Sequence, residues 1–531
     1  MSEASPETLP ALWTQMVAAR GDHPALIMRG ETLSYSELDA RSASLARALL
    51  AAGLGKGARI ALLAPDGVLW LTAFLASLRI GALLTLVSTL STPVELAHIL
   101  AHSDCRMLIA ARRFLRHDYD RTLEAALPGL AESQPGAIHL PDAPYLRAVC
   151  FDDAVGAPWA GSLDGLLAGA NAVPPSLLAA AEAQVAPSDE AVVVYTSGST
   201  AQPKAVVHRH WPLARHSPEL ARMFALKPED RMMVLLPAFW LAGMSTVLQV
   251  LSLGATLVWP GSTDVDEALD LIENARVTRV NAWGDRHPSL LKRATELGIE
   301  LSHIPEFGGF PGGDGKPPVP RMYGMTETFS AHSAHPLDQP LPAGKEGSFG
   351  RALNGYERRV VDLETGEVLP PGGIGELQVR GPALMAGLYK QRRADTFTAD
   401  QFYPTGDVVR IEAEGWLYPE GRLHDRIKTR AANVSRPEVE AALLALPGVE
   451  QAVVTGLPDE EAGEIVVAAI VPAEGTRPEE EALREALRAT LSSYKVPRRI
   501  ILVAAGDIPR TQTGKVKLSE LRGMIAGRIA S

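Results

Sequence analysis

At 531 residues the chain is too long for one hydrophobic core, so two or more domains are expected. Apolar residues at 46% and charged residues at 21% describe an ordinary globular protein. A formal net charge of −11 argues against non-specific nucleic-acid binding and against adhesion to anionic membranes, leaving room for a local positive pocket. The opening residues, MSEASPETLP, show no basic patch followed by an apolar stretch, so no signal peptide is expected and the cytoplasm is the expected location. Residues 59–64 (RIALLA) read as a strand, 68–80 (VLWLTAFLASLRI) as an apolar helix and 106–112 (RMLIAAR) as another strand. Cys105 and Cys150 read as small core residues in a reducing compartment, not as a disulfide or a metal pair.

Further along, the β-branched and aromatic run VVVY (192–195) reads as a buried strand. Thr196, Ser197, Gly198, Ser199 and Thr200 break it, and Lys204 follows. Hydroxyls, backbone N–H groups and a mobile cation together suit a polyanion such as a triphosphate. It is not a Walker P-loop: no glycine precedes Lys204, no Ser or Thr follows it, and Pro203 stands where flexibility is needed. Between Arg231 and Asp264 no residue is charged, long enough to span a bilayer. Pro237, Gly243, Gly254, Pro260 and Gly261 cut that run into strand-, loop- and helix-sized pieces, so a buried α/β core is expected there instead. A helix pattern, DVDEALDLIENAR, comes next, and residues 306–321 form a Gly/Pro-rich loop. The alternation predicts an α/β fold: a large N-terminal domain of layered sheets and helices, residues 1–422.

Past residue 422 the elements shorten, and residues 423–531 are expected to form a small mobile α+β domain with its own core. Ser435 and Glu438 have capping-box spacing, and Val439, Ala442, Leu443 and Leu446 recur at helical intervals. Strands QAVVTG and EIVVAAIVP, a charged amphipathic helix and a last strand RRIILVA follow.

The hydroxyl-rich stretch is followed in order by YGMTET (323–328), YPTGDVVRIEAEGWLYPEGR (403–422), DRIKTRAANVSRPEVE and IPRTQTGKVK (508–517). Together these resemble the class I adenylate-forming superfamily, which holds acyl-CoA synthetases, luciferases and the adenylation domains of peptide synthetases. The resemblance implies a ligase that uses ATP and Mg²⁺ to turn a small-molecule carboxylic acid into an acyl-adenylate, releasing pyrophosphate. It puts Thr196, Ser197, Gly198, Ser199, Thr200 and Lys204 around the phosphates, makes Glu327 the Mg²⁺ ligand and sets Thr326 beside the α-phosphate. Tyr323, with Gly324 after it, stacks on adenine opposite the backbone of Gly308, Gly309 and Phe310; Asp407 and Arg422 meet the ribose. Lys515 becomes the catalytic lysine that bridges the carboxylate and the α-phosphate. The acid pocket is drawn from Phe239, Trp240, Gly243 and Phe329, with core packing an equal reading for Trp240 and Phe310. No acidic residue lies near 239–244, which disfavours an amino acid and, with the shortened 306–321 loop, points to a bulky hydrophobic acid.

The sequence also departs from the pattern. Ala201 and Ala205 stand where relatives carry Gly, and His424 stands at the usual hinge Asp or Lys. Ala431 replaces a Gly in the loop after Lys428, which lies against the pantetheine tunnel once the small domain rotates. Weak CoA thioesterification is therefore expected, with a separate ligating enzyme or carrier protein taking the acyl group, and secondary metabolism is the expected setting. A complete two-step acyl-CoA synthetase, with CoA as cosubstrate, is the alternative, and a non-catalytic ATP-binding regulator the alternative of another class.

Overall fold

A computed structural model describes residues 5–153, 156–196, 203–282, 286–311, 316–319, 321–353, 355–422, 427–429, 432–510 and 516–530, with backbone alone at 421, 422, 433, 519 and 530. An eight-stranded sheet runs in the order Gly387–Leu388, Lys204–Arg209, Glu190–Thr196, Leu83–Leu86, Arg59–Leu63, Met107–Ala110, Ala148–Phe151, Gly161–Ser162. Pairing is parallel from Glu190–Thr196 onward and antiparallel at the two strands before it. Strands such as Leu83–Leu86 and Met107–Ala110 are buried at every position, as a parallel sheet covered on both faces requires.

A second sheet sets Arg279–Asn281, Arg231–Val234, Thr256–Val258 and Pro24–Met28 in parallel, with Glu31–Ser34 as an antiparallel edge. The uncharged segment supplies two of these strands and, between them, the buried helix Leu241–Ser252. Among the described residues no helix is long and apolar enough to cross a membrane. Antiparallel sheets follow: Met322–Met325 with Ser330–Ala334 and Arg351–Ala352, then Glu357–Val361, Ile374–Arg380, Tyr403–Ile411 and Leu417–Arg422.

The smaller C-terminal domain is built on the strands Val449–Asp459 and Gly463–Pro472, flanked by Ile427–Thr429, Ala432–Val434 and Arg499–Leu502. Its core includes Val439, Leu443, Val454, Ala468 and Leu487. Ser435 caps the helix Arg436–Leu444 by accepting from the Glu438 N–H, as the spacing predicts. Leu446 falls beyond that helix, after Ala445 at its C-cap, and packs against the core from the turn. Both cysteines are free and buried, and burial pushes each thiol up to about 12.

Candidate active site

The strand Glu190–Thr196 and its antiparallel neighbour Lys204–Arg209 place Thr196 directly opposite Lys204, so a hairpin brings the first hydroxyl and the lysine together. The Thr196 hydroxyl oxygen is buried with no hydrogen-bond partner among the described residues. Such an orphan is costly unless a ligand completes it. Ser197, Gly198, Ser199, Thr200 and Ala201 lie outside the described residues.

From the same hairpin His208 reaches the motif turn Thr326–Thr328, its Nε2–H donating to the Thr326 carbonyl at 2.8 Å. The carbonyl can only accept, which fixes that tautomer. Each carbonyl of the turn, and those of Ser330 and Ala331 beyond it, accepts a hydrogen bond. The Met385 N–H donates to Glu327 O at 2.8 Å, Tyr356 Oη to Thr328 O at 2.8 Å and His216 Nε2 to Ala331 O at 2.8 Å. Thr328 Oγ1 accepts from the Met325 N–H at 3.0 Å and donates to Ser330 O at 2.7 Å. Ser333 Oγ accepts from Arg358 at 2.6 Å and lies 2.8 Å from His332 Nδ1. Burial drives His208 and His216 down to about 4 and His332 to about 3, so all three are neutral props near pH 7.

This scaffold holds Phe329 and Ser330 at φ 48° and 76°, a left-handed pair of non-glycine residues. At about 1–2 kcal/mol each, the strain persists only because the surrounding bonds over-determine the turn. Gly324 is required on the preceding strand, since a Cβ there would sit 1.9 Å from Ser330 O.

Glu327 projects from the turn with 1% of its surface exposed, and Tyr403 donates to its Oε1 at 3.2 Å. Among the described residues no cation pairs with it. A buried carboxylate supported by one hydroxyl is a fitting ligand for a divalent cation. Tyr403 opens the strand Tyr403–Ile411 that carries Asp407, itself 2% exposed, and the register places Asp407 opposite Arg422. Thr196, Lys204, Thr326, Glu327, Asp407 and Arg422 are thus joined along one path of hydrogen bonds and strand pairs.

Tyr323, one strand position before Gly324, meets Phe349 and His332 edge-on at 5.6 and 5.9 Å. Gly308 ends the short helix Pro305–Gly308 and Gly309 follows at φ 82°; the Phe310 ring lies 5.2 Å from the Arg279 guanidinium. Phe329 is fully buried, edge-on to His208 at 5.0 Å, and buttresses the turn from inside.

Phe239 and Trp240 pack edge-on at 5.3 Å ahead of the helix Leu241–Ser252. Gly243 lets that helix close on its own entry loop, where a Cβ would sit 2.1 Å from Pro237 O. Lys428 is exposed on Ile427–Thr429, its N–H donating to Glu464 at 2.7 Å. His424, Ala431 and Lys515 lie outside the described residues, as does Gly312 in the Gly/Pro-rich loop.

Two features escape a motif search. Although no acid lies near 239–244 in sequence, the fold brings Asp66 to that loop, where its Oδ1 accepts from the Ala238 N–H at 2.8 Å. Burial lifts the Asp66 carboxyl to about 7 against the pull of that bond. The small domain is clasped to the large one at Glu95, which accepts from Lys495 Nζ and from Ser492 Oγ, both at 2.7 Å. Lys495 also donates to Glu438 at 2.8 Å, and Tyr494 beside it meets Trp240 edge-on at 6.0 Å.

Comparison with known proteins identifies the family. The AMP-binding enzyme family matches residues 13–298 and 308–389, and its C-terminal domain family matches 438–515. The 3-hydroxybenzoate–CoA/4-hydroxybenzoate–CoA ligase of Thauera aromatica is 29% identical, over 95% of this chain and 94% of its own. Feruloyl-CoA synthase of an Amycolatopsis species is also 29% identical, over 96% and 98%. The solved structure of the amide bond synthetase McbA from Marinactinospora thermotolerans, 25% identical, superposes with a TM-score of 0.76 over 97% of this chain and 99% of that one. The chain belongs to the AMP-binding enzyme family and is an adenylate-forming ligase.

Proposed function

We propose that the protein activates a bulky hydrophobic, aromatic carboxylic acid with ATP, giving an acyl-adenylate and pyrophosphate, with residues 1–422 binding the reactants and 423–531 closing over them. The observation that carries this reading is Glu327, a buried carboxylate on a turn whose carbonyls are all tied down. Acid and ATP are both anions, so the site must screen repulsion and hold them in line. Lys204 and the hydroxyls from Thr196 to Thr200 cradle the β- and γ-phosphates, and Thr326 orients the α-phosphate. Tyr323 supports adenine against Gly308, Gly309 and Phe310, while Asp407 accepts from the ribose hydroxyls beside Arg422. Glu327 would hold Mg²⁺, which when bound offsets phosphate charge. Lys515 stabilises the charge that develops between carboxylate and α-phosphate. Phe239 and Trp240 line the acid pocket, consistent with the aromatic acids in the names of two relatives.

For the acceptor, Ala431 supports weak transfer to CoA, with the acyl group delegated to a separate carrier or ligating enzyme. His424 serves as the hinge, and Lys428 leads the loop that carries Ala431. A complete CoA synthetase is the second reading, favoured by relatives named as CoA ligases. The test is mass-spectrometric product analysis with ATP, Mg²⁺ and a panel of aromatic acids, with and without CoA and with an amine set, because one solved neighbour is named an amide bond synthetase. Acyl-AMP that persists beside CoA is the expected result, and rapid acyl-CoA formation would establish the second reading. Glu327→Gln should slow acid-dependent pyrophosphate release by about 100-fold. ATP binding with no such release in the unmodified protein would sink the proposal.

A further inference from the structure

Three neighbouring parallel strands of the eight-stranded sheet begin at, or one residue after, an arginine: Arg59, Arg106 and Arg147. Ile60 pairs with Met107 and Met107 with Ala148, so the arginines share one cross-strand row a residue earlier. Backbone bonds close the row, Arg106 N to Arg59 O at 2.8 Å and Arg147 N to Arg106 O at 2.9 Å. Strands in a sheet are about 4.8 Å apart, and side chains in one row leave the same face. Like charges placed directly opposite each other destabilise a sheet. A row of three cations, in a chain of net charge −11, favours a compensating anion.

The protein itself supplies little. All three arginines line a cavity of about 460 Å³ with Gly57, Asp104 and Tyr145. Asp104, the only carboxylate in that lining, is already taken by Lys390 Nζ at 2.8 Å and Tyr389 Oη at 3.1 Å. Arg147 donates to the carbonyls of Pro144 and Leu146, both at 2.8 Å, and Arg59 lies 5.9 Å from the Tyr389 ring centre. Among the described residues none of the three forms an ion pair with a carboxylate. Arg59 and Arg106 are exposed, and Tyr145 is 56% exposed at the rim.

We propose that this cleft binds a small polyanion, a metabolite bearing a di- or triphosphate, at a site separate from the one that activates the acid. Guanidinium groups match phosphate oxygens in bidentate pairs, and Tyr145 offers a flat apolar face to the rest of such a ligand. The cavity has the size of a small-molecule site rather than of an extended groove for a polymer. The strands run parallel to Glu190–Thr196, whose C-terminal end carries the hydroxyl-rich loop, so the arginine row lies at the opposite edge of the same sheet.

Calorimetric titration of the full chain with inorganic tripolyphosphate tests this. Lys204→Ala weakens the phosphate loop and should leave one polyphosphate site. Arg106→Glu with Arg147→Glu should weaken that remaining site about tenfold or more. Acid-dependent pyrophosphate release, measured without added polyphosphate, should stay within about twofold of the unmodified protein, since the row is remote from the reaction. Arg106→Gln, which only neutralises one charge, should give an intermediate loss and guards against misfolding of the double variant. Unchanged affinity in both arginine variants would overturn the proposal, as would a Lys204→Ala protein that binds no tripolyphosphate. Retention of a polymeric anion such as heparin, without tripolyphosphate binding, would make the row a macromolecular surface and also overturn it.

Discussion

Asp66 shows how a single carboxyl acquires a consequence that its neighbours in sequence do not announce. With its acidity shifted to about 7, the folded protein keeps a proton that the unfolded chain releases near pH 4. That contribution to stability is full below about pH 4 and is lost as the pH rises through about 7. Asp66→Asn keeps an oxygen that accepts from the Ala238 N–H and removes the titration. It should melt roughly 2–4 °C higher than the unmodified protein near pH 8, and the two should converge near pH 4. Parallel melting curves across that range would show that Asp66 is not the titrating group. In sequence nothing singles Asp66 out, because its partner lies 172 residues away. Glu327 and Asp407 were legible because their motifs stand in a recognisable order, and both prove buried. Phe329, expected from the sequence in the wall of the acid pocket, is fully buried with the rings of His208 and His216 edge-on to it.

The turn Thr326–Thr328 makes the same point for an element. Its sequence shows which chemistry it carries, yet the groups that hold it come from three other segments: His208 and His216, Tyr356 and Met385. The neutral histidines give it a pH dependence. Their folded values, about 3 to 4, lie below the ordinary value for histidine, 6.5, so the unfolded chain binds more protons in between. Stability from these groups is complete above about pH 6.5 and is lost as the pH falls toward about 4. Urea unfolding of the large domain should therefore weaken steeply over that interval. His216→Phe should reduce the slope and cost about 1–3 kcal/mol at neutral pH by leaving Ala331 O without its donor. An unaltered slope would remove His216 from the account. Strands and helices themselves were read well where the burial pattern is local, as in the uncharged segment. Their ends moved by a residue or two where capping ended them early, as with Leu446.

Across the whole molecule, the sequence discloses a large domain and a small one but not how they touch. The contact rests on Glu95, whose helix Pro93–His102 it also caps, and on Lys495. Burial opposes ionisation of Glu95, but Lys495 and the hydrogen bonds around it hold the carboxyl below its usual range. Lys495 is likewise opposed by burial, and Tyr494, Glu95 and Glu438 together raise it. Removing one member of such a buried pair costs about 3–5 kcal/mol, because the other is left uncompensated. Glu95→Gln spares the Lys495–Glu438 pair inside the small domain and should loosen docking alone. Small-angle scattering should then report a larger radius of gyration, with the melting of the small domain unchanged. An identical scattering curve would show that Glu95 does not clasp the domains.

The edge contact between Trp240 and Tyr494 also gives the unlabelled protein an optical gauge of its own shape. Of the eight tryptophans, Trp240 is the one whose ring meets an aromatic ring of the small domain among the described residues. Any movement that carries Tyr494 away wets that indole and shifts its emission to longer wavelength. The position of the small domain is thereby written into the intrinsic fluorescence of the chain, on the same side chain proposed to line the acid pocket.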